Sequence, residues 1–289
     1  MKKIKRRIAP LVLAAALLPL AAQAHMSWLL PNNSHVTGKE PVVSIDAAVS
    51  EALFVFERGL KLDTLRITGP DGAALEADNR ASARNHDSFD LKLLKDGTYR
   101  ISNTSHSLIG SYTLGGETKR LRSTPAAFDK DLPAGAVLNG VMLTTSRQQT
   151  FVSKEDAGTP AFTPEGQGLE LLPLSPVTDL SHGDRSRMRL LLDGQPLADA
   201  TLSVLRDGNR YRYKLGEITL KTDAQGEFSI HWTEPGRYWL GVSHGGRPPM
   251  PAASASAAAP PPPLPAQAGT REVPLKRASL SATFEVLPK

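Results

Sequence analysis

His25 is the residue whose position gives it the most specific chemistry in this sequence. It directly follows Ala22-Gln23-Ala24, a small-x-small pattern at which a signal peptidase cuts. Cleavage there frees an α-amine beside an imidazole, and the amine and the ring Nδ1 can bind one metal ion together. A second imidazole completes the arrangement called a histidine brace. Nitrogen ligands of this kind suit cobalt, nickel, copper or zinc, so the sequence predicts a transition-metal site at His25.

The other ligands of this site are left open by the sequence. A hairpin through a polar turn would return His35 toward His25, whereas His86 and His106 lie in predicted loops. Asp46 interrupts an apolar stretch typical of a core strand, and a buried carboxylate needs a partner because its desolvation is costly. Either Asp46 bonds a backbone amide or an arginine, or it is a ligand or an orienter of His25. The candidate metal residues are His25, His35, Asp46, His86 and His106.

A simpler interpretation of His25 is also open: the terminus is only the place where the peptidase cuts, and His25 is a frayed polar residue. His182, His231 and His244 are weaker candidates, and the alternation of His231 with apolar residues predicts that it faces solvent. The sequence contains no phosphate-binding glycine loop, no Gly-x-Ser-x-Gly elbow and no His-Glu-x-x-His motif. We therefore expect a protein that binds rather than catalyses. A brace in which copper activates oxygen on a polysaccharide is the enzymatic alternative.

Charge and composition indicate export and exclude several function classes. The chain has 289 residues, 34 Lys and Arg against 29 Asp and Glu, a formal net charge of +5 and no cysteine. Five of the cations precede an apolar run that ends at Ala22, so residues 1–24 are predicted to be a cleaved signal peptide rather than a membrane anchor. The mature chain would then be neutral, which argues against a nucleic-acid partner, and would hold no disulfide or thiolate metal site. We expect a periplasmic protein that is not inserted in a membrane after cleavage.

The rest of the chain is predicted to be all-β. Short runs rich in β-forming residues are separated by turns such as Pro-Asp-Gly, and no helical period is sustained. Two stretches share one pattern: an alternating strand that begins at Phe89 or Phe228, a glycine eight residues later and a tyrosine ten residues later. This Gly-x-Tyr step resembles the tyrosine corner of Greek-key sandwiches. We therefore expect two immunoglobulin-like β-sandwich domains in tandem after the signal peptide.

The predicted units are an N-terminal β-sandwich domain at 25–155, a connecting segment at 156–180 and a C-terminal immunoglobulin-like β-sandwich at 181–289. A Pro/Ala-rich insertion at 245–270 interrupts the expected final strand pair, which joins the strand at Tyr238 to the strand at Ala282. This segment has too few large apolar residues to bury the surface that a stable fold requires. It is predicted to be a disordered loop, with a polyproline docking site as the alternative.

Several stretches also resemble a known bacterial periplasmic family. The opening His25-Met26-Ser27-Trp28-Leu29-Leu30-Pro31 resembles the Ala-His-x-x-Trp-Leu-x-Pro start of domain-of-unknown-function family 4198. The longest further match runs from Asn209 to Phe228, and the resemblance covers nearly all of the mature chain. The family is commonly labelled a periplasmic component of cobalt or nickel transport. The resemblance thus implies periplasmic metal handling, and it supplies no catalytic residues.

Together these observations predict a periplasmic protein that binds cobalt, nickel, copper or zinc and assists its uptake or handling without catalysis. The expected partner is an inner-membrane transporter or an outer-membrane receptor. The alternative is a metal-free interaction module that binds such a transporter or receptor, or a glycan, through its sandwiches.

Overall fold

The computed structural model of the chain describes residues 26–212, 216–246 and 269–289. The predicted signal peptide at 1–24, His25 and most of the predicted insertion at 245–270 lie outside these described residues. Within them the chain is built almost wholly from β-strands, because short runs of β-forming residues are separated by turn residues. The prediction of an all-β sandwich fold is confirmed.

The strands of the first half, in chain order, are β1 (Met26–Pro31), β2 (His35–Val36), β3 (Val42–Ser50), β4 (Arg58–Gly59), β5 (Leu65–Thr68), β6 (Ala74–Leu75), β7 (Asp78–Ser82), β8 (Asp87–Lys92), β9 (Gly97–Leu114), β10 (Glu117–Ser123) and β11 (Val137–Lys154). The strands that follow are β12 (Leu169–Pro173), β13 (Leu180–Ser181), β14 (Arg185–Leu192), β15 (Gln195–Pro196), β16 (Thr201–Arg206), β17 (Ile218–Lys221), β18 (Glu227–His231), β19 (Gly236–Gly245) and β20 (Leu275–Leu287). The described helices are a short α1 (Phe128–Asp131) and one 3₁₀ turn (Asn209–Tyr211).

Three sheets form the body of the molecule. The central sheet has the strand order β17-β16-β19-β20-β11-β9-β5-β6, with β2, β10 and β13 paired to its members. The first outer sheet has the order β1-β3-β8-β7 with β4 on β3, and the second has the order β12-β14-β15 with β18 on β14. Phe151 and Val152 are neighbours on β11 and enter different cores. Because successive strand residues point to opposite faces, the two outer sheets cover opposite faces of the central sheet.

Each outer sheet encloses its own hydrophobic core against the central sheet. The first core contains large side chains from β3, β8 and β9, among them Ile45, Phe89 and Ile101. The second core contains side chains from β14, β18, β19 and β20, among them Met188, Phe228, Leu240 and Phe284. Alternating strands place these side chains inward and the intervening ones outward, as the period of two predicts.

One sheet runs through both sandwiches, a feature that the sequence did not predict. Strand β20 pairs antiparallel with β19, with Tyr238 opposite Phe284, so the expected final strand pair is confirmed. On its other side β20 pairs in parallel with β11, from Met142 opposite Leu275 to Thr150 opposite Thr283. The last strand of the chain therefore joins the two halves through backbone hydrogen bonds.

Both predicted tyrosine corners are present. The Tyr99 hydroxyl donates to the Lys95 carbonyl at 2.7 Å, and the Tyr238 hydroxyl donates to the Glu234 carbonyl at 2.7 Å. The glycines two residues before these tyrosines have φ angles of 119° and 141°, values that a side chain would strain. Each corner carries the chain from an outer sheet to the central sheet, from β8 to β9 and from β18 to β19.

Candidate functional site

The residues that follow His25 are held firmly against the body of the protein. Met26 pairs with Ser50 of β3, and the fully buried Trp28 donates its indole N–H to the Ser50 hydroxyl at 3.1 Å. Strand β1 is the edge of its sheet, yet its free carbonyls are bonded. The Ser27 carbonyl accepts from the Trp239 indole at 3.0 Å and from the Ser281 hydroxyl at 2.7 Å. The backbone from Met26 onward is therefore held in place by strand pairing and hydrogen bonds, and it is not a frayed end.

Asp46 and His86 are the two candidate metal residues that the structure brings together. The Asp46 Oδ1 lies 3.9 Å from the His86 Nε2, and their side chains are 40% and 30% exposed. Strand β3 is a core strand as predicted, but the expectation that the Asp46 carboxylate is buried is wrong. Its neighbours Ile45 and Ala47 enter the first core, so alternation turns Asp46 to the opposite, partly exposed face of β3.

The surroundings of this pair are aromatic on one side and cationic on the other. The His86 ring lies 4.7 Å from the Phe56 ring, which lies 5.5 Å from the Trp28 ring of β1. Partial burial raises the pKa of Asp46 above its ordinary value, while the charges of His86 and Arg237 oppose this. In the register of the sheet Asp46 lies opposite Leu30, four residues or about 14 Å along β1 from Met26.

His35 and His106 lie at different places along β11. The His35 Nδ1 is 2.9 Å from the Ser153 hydroxyl, and the His106 Nδ1 is 3.2 Å from the Thr145 hydroxyl. These two positions are eight residues apart on one extended strand, or about 27 Å, so a single ion cannot contact both histidines. The prediction that His106 lies in a loop is wrong, because β9 continues through it.

His35 is also separated from the start of β1. His35 comes after Pro31, the last residue of β1. Met26 is the first residue of that strand, five residues or about 17 Å from Pro31. Among residues 26–212, 216–246 and 269–289, no three His, Asp or Glu side chains are grouped closely enough to hold a metal ion. The metal assignment of His25, His35, Asp46, His86 and His106 stays a prediction, with His25 outside the described residues.

A separate cavity of about 350 Å³ opens at one end of the second sandwich. His106 and Thr145 form one part of its wall, and His244, Lys276 and Arg277 form another. Sequence reasoning missed this site, since its residues are far apart in the chain and no local motif marks them. The pairing of β9, β11, β20 and β19 brings them together.

A buried ionic network lies behind the loop at Gly166–Gly168, which lines this cavity. Arg147 is 1% exposed, and its Nη1 lies 2.9 Å from the Glu165 Oε2. Arg100, 4% exposed, lies 3.4 Å from the other Glu165 oxygen. Burial would raise the pKa of Glu165, but the two arginines outweigh it and lower that pKa below its ordinary value. Charges this deeply buried persist only when they are paired.

The same loop is tied by a second carboxylate. Glu170, 1% exposed, accepts the backbone N–H groups of Glu165, Gly166 and Gln167 at 2.6, 2.5 and 3.2 Å. Arg147 also donates to the Gln167 carbonyl at 3.1 Å. The loop therefore has little freedom to move away from β11.

Comparison with known proteins decides the family. The model of a family described as "Domain of unknown function (DUF4198)" matches residues 22–246. The chain belongs to this family. No curated protein matches the sequence. In the part of the chain that the structure describes, no helix is long and apolar enough to cross a membrane.

The solved structures that match this DUF4198 protein are distant from it. A DUF4785 family protein from Legionella pneumophila is 11% identical, with a TM-score of 0.22 over 74% of this chain and 50% of that one. The D0-D1 domain of intimin is 11% identical, with a TM-score of 0.20 over 89% and 97%. The Yersinia pseudotuberculosis adhesin InvE is 9% identical, with a TM-score of 0.20 over 91% and 61%. This chain spans about half the length of the Legionella protein, and likeness at this level carries no functional argument.

Proposed function

We propose that this protein is a periplasmic transition-metal-binding protein that assists metal uptake or handling, and that its site is built on His25 as the mature N-terminus. The observation that carries the proposal is the anchoring of β1. An α-amine and an imidazole at position 25 would directly precede a residue that is paired to Ser50 and followed by the buried Trp28. A ligand pair attached to a fixed strand loses less conformational freedom on binding a metal than one on a free tail.

The chain has no cysteine, so the further ligands would come from histidine, carboxylate or methionine side chains. Among the described residues no three His, Asp or Glu side chains are grouped closely enough to hold a metal ion, and the proposed site is centred on position 25. The Asp46–His86 pair is the grouping of predicted ligands that variants can test; Asp46 lies about 14 Å along β1 from Met26, so the pair would contribute only if position 25 turned back toward it. The bound cobalt, nickel, copper or zinc ion would be the cargo of the protein, which would carry it to an inner-membrane transporter or an outer-membrane receptor.

The experiment is a metal titration of the processed, untagged protein. Intact mass first establishes whether the chain begins at His25. Cobalt, nickel, copper and zinc are then titrated by calorimetry into the wild type, His25→Ala and the control His231→Ala, which removes an exposed histidine of β18. We expect one equivalent of at least one metal to bind wild type and the control, and His25→Ala to lose it. Absence of binding by every protein, or equal binding by His25→Ala, would reject the proposal.

Asp46→Asn and His86→Ala then locate the remaining ligands. A tenfold or larger loss of affinity in either variant assigns the pair to the site, since loss of a direct or supporting ligand has effects of this size. Unchanged affinity in both removes the pair from the site and leaves His25 with other partners.

A metal-free interaction module remains the second candidate, and one region with a separate hydrophobic cluster favours it. Residues 108–141 comprise the end of β9, β10, α1 and the start of β11, and we call them the arm; their cluster is centred on Leu121, Phe128 and Val141. The arm exposes Ile109 by 37% and Val137 by 67%. Among the described residues β10 pairs only with β9, so it offers a free edge to a partner.

Complementation separates the two candidates. A deletion strain is grown under limitation for each metal and supplied with wild type, His25→Ala, or the arm variant Arg120→Glu/Arg122→Glu. The matched control is Arg80→Glu/Arg84→Glu, which reverses two exposed arginines near β7. Failure of His25→Ala with growth of the arm variant supports metal binding. Failure of the arm variant alone supports the interaction module.

A further inference from the structure

The cavity at the end of the second sandwich has the size and composition of a small-molecule site. Its volume of about 350 Å³ falls at the lower end of ligand sites, which hold roughly 300–1,000 Å³. Leu143, Leu192 and Ala278 give it an apolar surface, and His106 and His244 add two imidazoles. Such a mixture of apolar walls with a few polar groups is typical of sites that bind one small organic molecule.

One exposed cation faces the cavity. Lys276 pairs with Leu143 and shares the face of Ala278, whereas the next residue, Arg277, turns its side chain to the opposite face of the sheet. The carboxylate in the lining is engaged by the loop, because the Asp193 Oδ1 accepts the Gly168 N–H at 2.8 Å. The Asp193 N–H in turn donates to the Gly168 carbonyl at 2.8 Å. Among the described residues Lys276 has no ion-pair partner, so its ammonium group is available to a negatively charged ligand.

The opposite wall is preorganised. Gly166, Gln167 and Gly168 line the cavity, and the buried carboxylate of Glu170 accepts backbone N–H groups from the first two of them. A Cβ atom at Gly168 would lie 2.6 Å from the Thr145 Cγ2, so this wall sits directly against β11. The Thr145 hydroxyl contacts the His106 Nδ1, which leaves Nε2 as the His106 nitrogen for a ligand. Fixed walls lower the entropic cost of binding.

We propose that this cavity binds a small organic carboxylate with an apolar body. The carboxylate lies toward Lys276, the His106 and His244 rings contact its oxygens, and the apolar body contacts Leu143, Leu192 and Ala278. The cavity is on the face of the central sheet that carries the second core, opposite the face that contacts β1. This site is therefore separate from the metal site proposed at position 25, and either one can fail without the other.

The test is an NMR titration of the labelled, processed protein with matched anionic and neutral probes. Benzoate and hexanoate are the carboxylates, benzamide and hexanamide are their neutral counterparts, and inorganic phosphate is the simple anion. Single His106→Gln and His244→Gln variants assign the two imidazole signals. We expect at least one carboxylate to shift both signals with one saturation curve, while its amide and phosphate leave them unchanged.

Removal of the cation completes the test. Lys276→Gln changes an exposed side chain, so folding is retained and can be checked from the unchanged spectrum of the second core. We expect at least a tenfold loss of carboxylate affinity, whereas the matched control Arg277→Gln, which removes the neighbouring cation on the opposite face, keeps it. The proposal is overturned if neither carboxylate shifts the imidazole signals, if the amides or phosphate act equally, or if Lys276→Gln binds as wild type.

Discussion

The first sandwich passes from β8 through Gly97 to Tyr99, and the second passes from β18 through Gly236 to Tyr238, with the same spacing and the same hydroxyl-to-carbonyl bond. The polar contacts beside this shared unit differ between the two sandwiches. On the face of the central sheet that carries the first sandwich, neutral side chains such as Trp239 and Ser281 bond the free edge of β1. On the face that carries the second sandwich, the buried Arg100 and Arg147 hold a loop against β9 and β11 through Glu165. The same local unit is therefore used in both sandwiches, and the polar contacts around it suit the two faces to different sites.

The largest expected effect comes from breaking the buried ion pairs beside the second sandwich. Arg147→Met leaves Glu165 with the longer contact to Arg100 and a hydrogen bond from the Ser102 hydroxyl at 3.3 Å, in a place where the Glu165 side chain is 12% exposed. We expect the free energy of unfolding to fall by about 3 kcal/mol, measured by urea denaturation. Arg187→Met is the control, because the Arg187–Glu227 pair is at the surface and its loss costs no more than about 1 kcal/mol. Equal losses of unfolding free energy in the two variants would contradict a larger contribution from the buried ion pairs.

The two tyrosine corners are expected to differ in strength. The Tyr99 hydroxyl donates to the Lys95 carbonyl and also accepts the Lys95 N–H at 2.8 Å, whereas Tyr238 makes the single bond to Glu234. At about 1 kcal/mol for each hydrogen bond, Tyr99→Phe should lower the free energy of unfolding by about 2 kcal/mol and Tyr238→Phe by about 1 kcal/mol. Denaturation of both variants under one condition measures the difference. A larger loss in Tyr238→Phe would contradict the comparison.

Acid should lower the free energy of unfolding through Glu165, which holds the loop beside the second sandwich. Its pKa is lowered in the folded protein, so its contribution to stability is complete above the unfolded pKa, about 4.3, and is lost as the pH falls through the folded value. Wild type should therefore lose more stability than Glu165→Gln does between about pH 6 and about pH 3, measured by urea denaturation at each pH. Parallel pH profiles for the two proteins would exclude this source of acid sensitivity.

The smallest expected effect is at Asp46 in the first half. Burial raises its folded pKa, so at neutral pH the charged carboxylate opposes folding, and this opposition is relieved as the pH falls through the raised value. The side chain is 40% exposed, which screens the effect. Asp46→Asn should leave the free energy of unfolding within about 0.5 kcal/mol of wild type. A loss well beyond that would mean that Asp46 makes a structural bond.

Local patterns in the sequence predicted the scaffold well. The tyrosine corners were predicted because the strand, the glycine and the tyrosine lie within eleven residues of one another. The pairing of β19 with β20 was predicted from the two apolar runs on either side of the Pro/Ala-rich insertion. Asp46 was misjudged because an apolar run does not reveal which face of a strand a residue occupies. His106 was misjudged because its polar neighbours are typical of a loop, while pairing with β11 keeps them in an 18-residue strand.

The sites were less predictable than the scaffold. The cavity combines His106, Asp193, His244 and Lys276, and only the parallel pairing of β20 with β11 places such distant residues together. Parallel pairing between strands so far apart in the chain leaves no local signal in the sequence. The distance between His35 and His106 was equally hard to predict. The two histidines contact residues eight positions apart on β11, and the sequence does not show that this strand is 18 residues long.

The measurement that tests the central claim most directly asks whether the α-amine of His25 binds metal. Near pH 7 an acylating reagent reacts first with the α-amine, whose pKa is about 7.7–8.0, rather than with lysines near 10.4. Protein carrying one acetyl group on its N-terminal peptide, confirmed by mass spectrometry, is compared with mock-treated protein by calorimetric titration with copper(II), which nitrogen ligands bind most tightly among these divalent metals. We predict at least a tenfold loss of affinity after acetylation. Equal affinity of the two samples would contradict the account.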